Sequence, residues 1–272
     1  MKPVWLTIER GDAPLLLSIP HAGADLLHLG PRFHSEWRAR RDADWHLPSL
    51  YDFAAGMGAT ILRTSLSRSI IDVNRDPSGV SLYPGQATTE LCPTTTFDGD
   101  VLYSEGQAPG AAEIAERREA YFDPYHAALA GEIARLRARH PRIALYDAHS
   151  IRSHIPRLFE AELPLFNLGT NGGRACSPAL LSGLVAVLAT SGQSHVVDGR
   201  FKGGWITRAF GRPEAGVEAV QMELGCRAYM VEPDAIAPDN WPTPLDPVRA
   251  RPTRATLRLV LQALLNFVGV AP

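Results

Sequence analysis

Leu145-Tyr146-Asp147-Ala148-His149-Ser150 is the stretch that decides the fold and points to the site. The apolar run Ile143-Ala144-Leu145-Tyr146 leads into an acid, a histidine and a hydroxyl. Such a run, bounded by polar residues, predicts a buried strand whose last residues emerge at a sheet edge. In α/β folds, ligands and catalytic groups gather at the carboxyl ends of strands. Nearer the N-terminus, Leu15-Leu16-Leu17-Ser18-Ile19 runs in the same way into Pro20-His21-Ala22-Gly23. Two histidines at two strand ends predict a site assembled from distant segments.

Outward from these, strands are predicted at Thr60–Leu62, Ile70–Val73, Leu165–Leu168, Val196–Val197 and Val217–Met222. Helical patterns lie between them. Asp44–Ala55 has apolar residues at helical spacing and Asp44 as N-cap. Ala111–Arg139 is long and amphipathic, with an interruption near Asp123-Pro124. Pro178–Ala189 follows Ser177 in a Ser-Pro start, and Thr253–Val268 closes the chain. Strands alternating with helices predict an α/β sheet with helices on both faces. Asp76–Pro109 is rich in Gly, Pro, Thr and Asp with little periodicity, as in functional loops or lids. No linker or repeat divides the chain, so residues 1–272 read as one domain.

The 272 residues can bury a substantial core, and 45% hydrophobic with 21% charged residues is ordinary for a globular protein. A net charge of −2 supplies no basic field for nucleic acid, so any anion site must come from local arginines and lysines. Cys92, Cys176 and Cys226 are an odd, widely spaced set, which argues against a disulfide framework and a CxxC zinc site. No apolar run approaches the roughly 20 residues of a membrane span. Met1-Lys2-Pro3-Val4-Trp5 lacks the apolar core of a signal peptide. A cytoplasmic protein is expected.

Five features could carry chemistry. His21 and His149 adjoin small residues that leave room for a ligand, and neutral imidazole is the commonest metal ligand. A catalytic zinc uses three protein ligands, so a carboxylate is expected beside them, from Asp25, Asp42, Asp44 or Asp147. Asp42-Ala43-Asp44-Trp45-His46 reads equally as an acidic helix start or as ligands, His46 included. Asn74-Arg75 ends the run Ser67-Arg68-Ser69-Ile70-Ile71-Asp72-Val73 and offers a guanidinium fork plus an amide, which suits a carboxylate. Gly199-Arg200-Phe201-Lys202-Gly203-Gly204-Trp205-Ile206-Thr207-Arg208 is either a cradle for an anion or a flexible basic turn, and lacks Walker spacing. Glu223 closes a strand-like run just before Gly225, where a carboxylate beside a metal-bound water can move its proton.

Assembled in order, these segments resemble the N-formylglutamate amidohydrolase family over nearly the whole chain. The resemblance is carried by Ile19-Pro20-His21-Ala22-Gly23, Asp42-Ala43-Asp44-Trp45-His46, Ser67-Arg68 with Ile71-Asp72-Val73-Asn74-Arg75, Asp147-Ala148-His149-Ser150-Ile151-Arg152-Ser153-His154, Asn167-Leu168-Gly169-Thr170-Asn171 and Gly199-Arg200-Phe201-Lys202-Gly203-Gly204. That family looks like a distant relative of zinc carboxypeptidases and aspartoacylases. The resemblance implies a mixed, mostly parallel sheet flanked by helices. It implies zinc, or another divalent transition metal, on His21, His149 and one carboxylate. It further implies Glu223 as general base and Arg68 polarising the scissile carbonyl. The substrate would be a small dicarboxylate, held by Asn74 and Arg75 at one end and by Arg152 or the Arg200, Lys202 and Arg208 group at the other.

One departure bears on the third ligand. Zinc carboxypeptidases place it three residues after the first histidine, where this chain has Ala24. Asp44 is the choice, with Asp42 and Asp25 as alternatives, and Asp147 is expected to support the site. The reaction implied is zinc-dependent hydrolysis of N-formyl-L-glutamate to L-glutamate and formate in histidine degradation. Hydrolysis of another N-acyl amino acid, and a non-enzymatic dicarboxylate-binding protein, are the alternatives.

Overall fold

The computed structural model describes residues 3–269; Met1 and Lys2 of the N-terminal stretch read above lie outside it. Among the described residues seven strands form one sheet: β1 Leu6–Glu9, β2 Leu15–Ile19, β3 Thr60–Thr64, β4 Ile143–Ile151, β5 Phe166–Gly169, β6 His195–Val197 and β7 Val217–Gly225. Their spatial order is β1-β3-β2-β4-β7-β5-β6. The central β3-β2-β4-β7 ribbon is parallel, whereas β1 is antiparallel to β3 and β5 antiparallel to β7. The sheet is mixed and mostly parallel, as expected.

The helices are α1 Glu36–Arg40, α2 Leu47–Leu50, α3 Phe53–Gly56, α4 Ala111–Arg117, α5 Asp123–Arg137, α6 Pro178–Thr190, α7 Trp205–Phe210 and α8 Pro247–Gly269. They cover both faces. On one, Leu180 and Leu184 of α6 and Val260, Leu261 and Leu264 of α8 pack on Leu15, Leu17, Tyr146 and Met222. On the other, Tyr125, Leu129 and Leu136 of α5 pack on Leu16, Leu145 and Ala219. Each fully buried leucine contributes about 1.5–3 kcal/mol, and coverage on both sides explains why every residue of β4 and β7 is buried. Among the described residues, no helix is long and apolar enough to cross a membrane.

The structure departs from the sequence reading in several places, and in others it meets it. β4 does not end at Tyr146 but runs to Ile151, because β7 is equally long and pairs with it from Ile143↔Val217 to Ile151↔Gly225. Ile70–Val73 is no strand. Its apolar side chains are buried, but the Asp72 carboxylate accepts the N–H of Asn74 and turns the backbone, while the Asp72 N–H goes to Leu91 O. Asp44–Ala55 is two short helices, and Asp44 caps neither: its N–H is bonded to His21 O, and His46 at φ 63° turns the chain before Leu47. A π-turn over Arg118–Phe122 joins α4 to α5 and leads directly into Asp123-Pro124, where the interruption was expected. β1 went unread as a short edge strand. Asp76–Pro109 contains no helix or strand.

Candidate active site

Side-chain alternation along the parallel ribbon positions the site. In β2, β4 and β7 the residues facing α5 begin apolar: Leu16, then Ile143 and Leu145, then Val217 and Ala219. With the period of two, the next positions on that face are Ser18, then Asp147 and His149, then Gln221 and Glu223. The parallel register places Ser18 beside Asp147, Asp147 beside Gln221, and His149 beside Glu223. The same sheet face that builds the core therefore turns polar toward its carboxyl edge, where β2 has ended and His21 follows.

His21, Asp44 and His149 converge, each buried, with ligand atoms all within 4.8 Å of one another. The imidazole Nε2 atoms are both held by carboxylates, His21 by Asp72 at 2.8 Å and His149 by Asp147 at 3.0 Å. The Nδ1 atoms both face Asp44, at 3.8 Å from His21 and 3.1 Å from His149. With the protons on Nε2, two Nδ1 lone pairs point at a carboxylate, an arrangement that repels unless a cation or a proton lies between them. His21 Nδ1 and Asp44 Oδ1 are buried without a hydrogen-bond partner. Two imidazole nitrogens and a carboxylate, each imidazole backed by a second carboxylate, suit a divalent transition metal.

Charges around this cluster set its protonation. Burial works against a charge on His149, but Asp147 and Asp44 outweigh it and hold the pKa well above the ordinary imidazole value. Burial and Arg68 push His21 the other way, against Asp72 and Asp44. Asp72 is held well below the usual carboxylate range: burial opposes this, and Arg75, His21 and Arg68 overcome it. Burial pushes Glu223 up to about 8, with Asp44 adding to it and His149 and Arg68 opposing. A buried carboxyl poised near neutrality can both accept and return a proton. Arg68 is fixed by Asp72 at 2.6 Å and lies over the Phe97 ring at 4.7 Å.

The profile of the N-formylglutamate amidohydrolase family matches residues 13–230. The chain belongs to that family. It is 48% identical to an N-formylglutamate deformylase of Pseudomonas aeruginosa, the match covering 96% of each chain. It is 45% identical to an N-formylglutamate deformylase of Pseudomonas putida, again over 96% of each. Its fold is similar to that of an N-formylglutamate amidohydrolase from Ralstonia eutropha, with TM-score 0.79 and 24% identity over 98% of this chain and 100% of that one. The chain is thus an amidohydrolase, and the alternative of a non-enzymatic binding protein falls.

In this N-formylglutamate amidohydrolase family member one cavity collects His21, Arg68, Asn74, Arg75, His149, Arg200 and Glu223. Arg152, Lys202 and Arg208 do not line it. Arg152 pairs with Asp98 at 2.5 Å, Arg208 donates to Gly203 O at 2.8 Å, and Lys202 is exposed. Of the alternative ligands, Asp25 is exposed and caps Leu27 N at 2.8 Å, and Asp42 accepts from Phe97 N at 2.7 Å. His46 bonds Thr243 O at 2.8 Å, outside the cluster.

Asn74 is held at both ends of its amide, which donates to Asp147 at 2.9 Å and accepts from Ile206 N at 2.7 Å. Gly204 permits this, since a Cβ there would stand 2.5 Å from Asn74 Nδ2. Sequence reasoning gave no role to Asp72 or Gln221. The signal for Asp72 is its spacing from Arg68 and Arg75, one helical turn either way, which the strand reading obscured. Gln221 precedes Glu223 by one pleat and donates to it at 3.3 Å.

Proposed function

We propose that this amidohydrolase converts N-formyl-L-glutamate and water to L-glutamate and formate, with zinc or another divalent transition metal on His21, Asp44 and His149. The observation that carries the reading is Glu223, a buried carboxyl registered beside His149 in a cavity that also holds Arg68, Arg75 and Arg200. The names of the Pseudomonas relatives support the substrate. When bound, the metal supplies Lewis acidity, polarising the formyl carbonyl and acidifying water.

The chain's own residues do the rest. Glu223 takes a proton from the water that attacks the formyl carbon. Arg68 donates to the oxygen as it gains negative charge, where a single positioned donor is typically worth about 3–4 kcal/mol. As the C–N bond breaks, the same Glu223 returns the proton to the leaving amine nitrogen. Asp72 and Asp147 hold the imidazoles in one tautomer, and Asn74 with Arg75 takes a substrate carboxylate. Glutamate and formate as products fit a place in histidine degradation, and three buried free cysteines suit a reducing cytoplasm.

The test is formate release from N-formyl-L-glutamate by purified protein, before and after chelation and with zinc restored, beside N-acetylglutamate and N-formylaspartate. Chelator-sensitive release that zinc restores is expected, fastest with N-formylglutamate. Absence of formate from the metal-loaded protein would remove the substrate assignment. Full activity in His149→Ala, with zinc occupancy retained, would remove the metal assignment.

A further inference from the structure

Three arginines face the cavity, and two of them have a carboxylate neighbour. Arg68 and Arg75 share Asp72, at 2.6 and 3.6 Å. Arg200 forms no ion pair among the described residues. Its Nε donates to Leu158 O at 2.9 Å and its Nη2 to Ala87 O at 2.8 Å. The rings of Tyr83 and Phe201 lie against the guanidinium at 5.4 and 5.3 Å. Two backbone carbonyls and two rings thus fix the plane of the group without neutralising it. Nη1 donates no hydrogen bond to the described residues, and Arg200 lines the cavity. Arg200 is half-buried, and a partly desolvated cation with no carboxylate in contact favours an anion at its open edge. Arg117, by contrast, is buried against Glu113 at 2.5 Å.

Arg75 and Arg200 sit differently in the cavity. Arg75 belongs to the metal-ligand end: Asp72 links it to His21, and its Nε and Nη2 are engaged by Thr89 at 3.1 and 3.0 Å. Among the described residues Arg200 forms no hydrogen bond or ion pair with His21, Asp44 or His149, and hangs from Leu158 and Ala87 instead. In an N-formyl amino acid the α-carboxylate is one carbon from the amide nitrogen, while a side-chain carboxylate lies further out. The arginine tied to His21 through Asp72 suits the first, and the arginine hung from Leu158 and Ala87 suits the second.

We propose that Arg200 is the specificity residue for the acidic side chain of the substrate, its open Nη1 edge binding the carboxylate that distinguishes glutamate from glutamine. This rests on the functional reading above and deepens it. It also takes Arg152, Lys202 and Arg208 out of that role, since none of them lines the cavity. Ile151, Leu158 and Phe201 give the cavity a neutral wall that suits the methylenes between the two carboxylates.

The experiment compares kcat/KM for N-formyl-L-glutamate and N-formyl-L-glutamine in wild type, Arg200→Met and Arg200→Gln. The ratio of the two is independent of how much of a preparation is folded. Arg200→Gln is included because its amide can still bond the Leu158 carbonyl should the methionine variant be too unstable to assay. Hydrogen bonds to a charged group are worth about 1.5–3 kcal/mol, roughly 10- to 150-fold, so the wild-type preference for glutamate should shrink by that factor in either variant, chiefly through KM. A wild-type enzyme that turns over N-formylglutamate, with a preference left within about two-fold in the variants, would overturn the assignment of Arg200. A wild type inactive on N-formylglutamate would instead overturn the functional reading, and this inference with it.

Discussion

Replacing Asp72 with asparagine tests the arrangement most directly, because the change is isosteric and opens no cavity. Asp72 is fully buried, and both its oxygens are in use. Oδ1 faces His21 Nε2 at 2.8 Å and accepts from Asn74 N at 2.9 Å, while Oδ2 accepts from Arg68 at 2.6 Å with Arg75 at 3.6 Å. An asparagine has one acceptor oxygen and one donor nitrogen. If its oxygen serves His21 and Asn74, its NH2 opposes the Arg68 guanidinium. If it serves Arg68, the NH2 opposes the His21 N–H and the Asn74 N–H. Either way a buried cation loses its closest counter-charge and two donors face each other, which costs about 3–5 kcal/mol.

The second consequence of Asp72→Asn is at the metal. Carboxylate partners of ligating histidines are typically worth about 10- to 100-fold in affinity, because they fix the tautomer and aim the lone pair. Urea unfolding of chelator-treated protein reads the first quantity, and zinc competition with a chromophoric chelator reads the second. The Asp72 carboxyl is more acidic folded than unfolded, so its contribution to stability is present above the unfolded pKa and is lost as pH falls through the folded one. The difference between wild type and variant should therefore be constant from about pH 6 to 8. A loss below about 1 kcal/mol together with zinc affinity within two-fold of wild type would refute the reasoning that Asp72 joins His21 to the arginines.

Three other perturbations follow from the same geometry. Glu223→Gln removes the proton acceptor while keeping its shape, so formate release should fall by about 100-fold or more with zinc stoichiometry unchanged; turnover near wild type would exclude Glu223 as the base. Gly204→Ala forces a methyl within 2.5–2.6 Å of the Asn74 amide, which should cost about 1–3 kcal/mol and raise KM, as measured by unfolding and steady-state assays. His126 is held at about 4 by burial, against the Val73 carbonyl it bonds at 2.8 Å, so the folded chain binds fewer protons than the unfolded one between that value and about 6.5. Stability should fall as pH drops through that window, by up to about 3 kcal/mol, and His126→Gln should flatten the slope; an unchanged slope in urea midpoints at pH 7 and 4.5 would count against it.

The sequence disclosed this site unevenly, and the reasons are physical. β2 was legible to its boundaries, because Leu15–Ile19 is wholly buried and the proline after it ends the run. β4 was read too short because polarity was taken for exposure. Asp147 and His149 remain in the strand since their charges are paired with Asn74 and Asp44, which lie 73 and 105 residues away. Ile70–Val73 failed for the complementary reason: burial of its apolar side chains does not require a ladder when a carboxylate caps the turn. The ligand histidines were visible from local pattern. Asp44 was chosen by the family motif, and its approach to both imidazoles depends on the turn at His46, which no spacing announces. Arg200 could be named but not separated from Lys202 and Arg208, because only the fold shows which side chain enters the cavity.

Charge balance gives a reason to hold the metal and the perturbed groups together. Asp44, Asp72, Asp147 and Glu223 are four carboxyls on the buried face, matched by the guanidiniums of Arg68 and Arg75. Were all four ionised with neutral imidazoles, the carboxylates would outnumber by two the guanidiniums in contact with them, at a buried site that disfavours the excess. A dication removes that excess. Without it, the chain must find the charge elsewhere, and the groups whose proton affinity rises are Glu223, to about 8, and His149. Zinc binding at pH 7 should accordingly expel one to two protons per site, measured as the dependence of calorimetric heat on buffer ionisation enthalpy. Release near zero would mean that the carboxyls and imidazoles are already deprotonated in the metal-free chain, and that the negative excess is balanced by some other route.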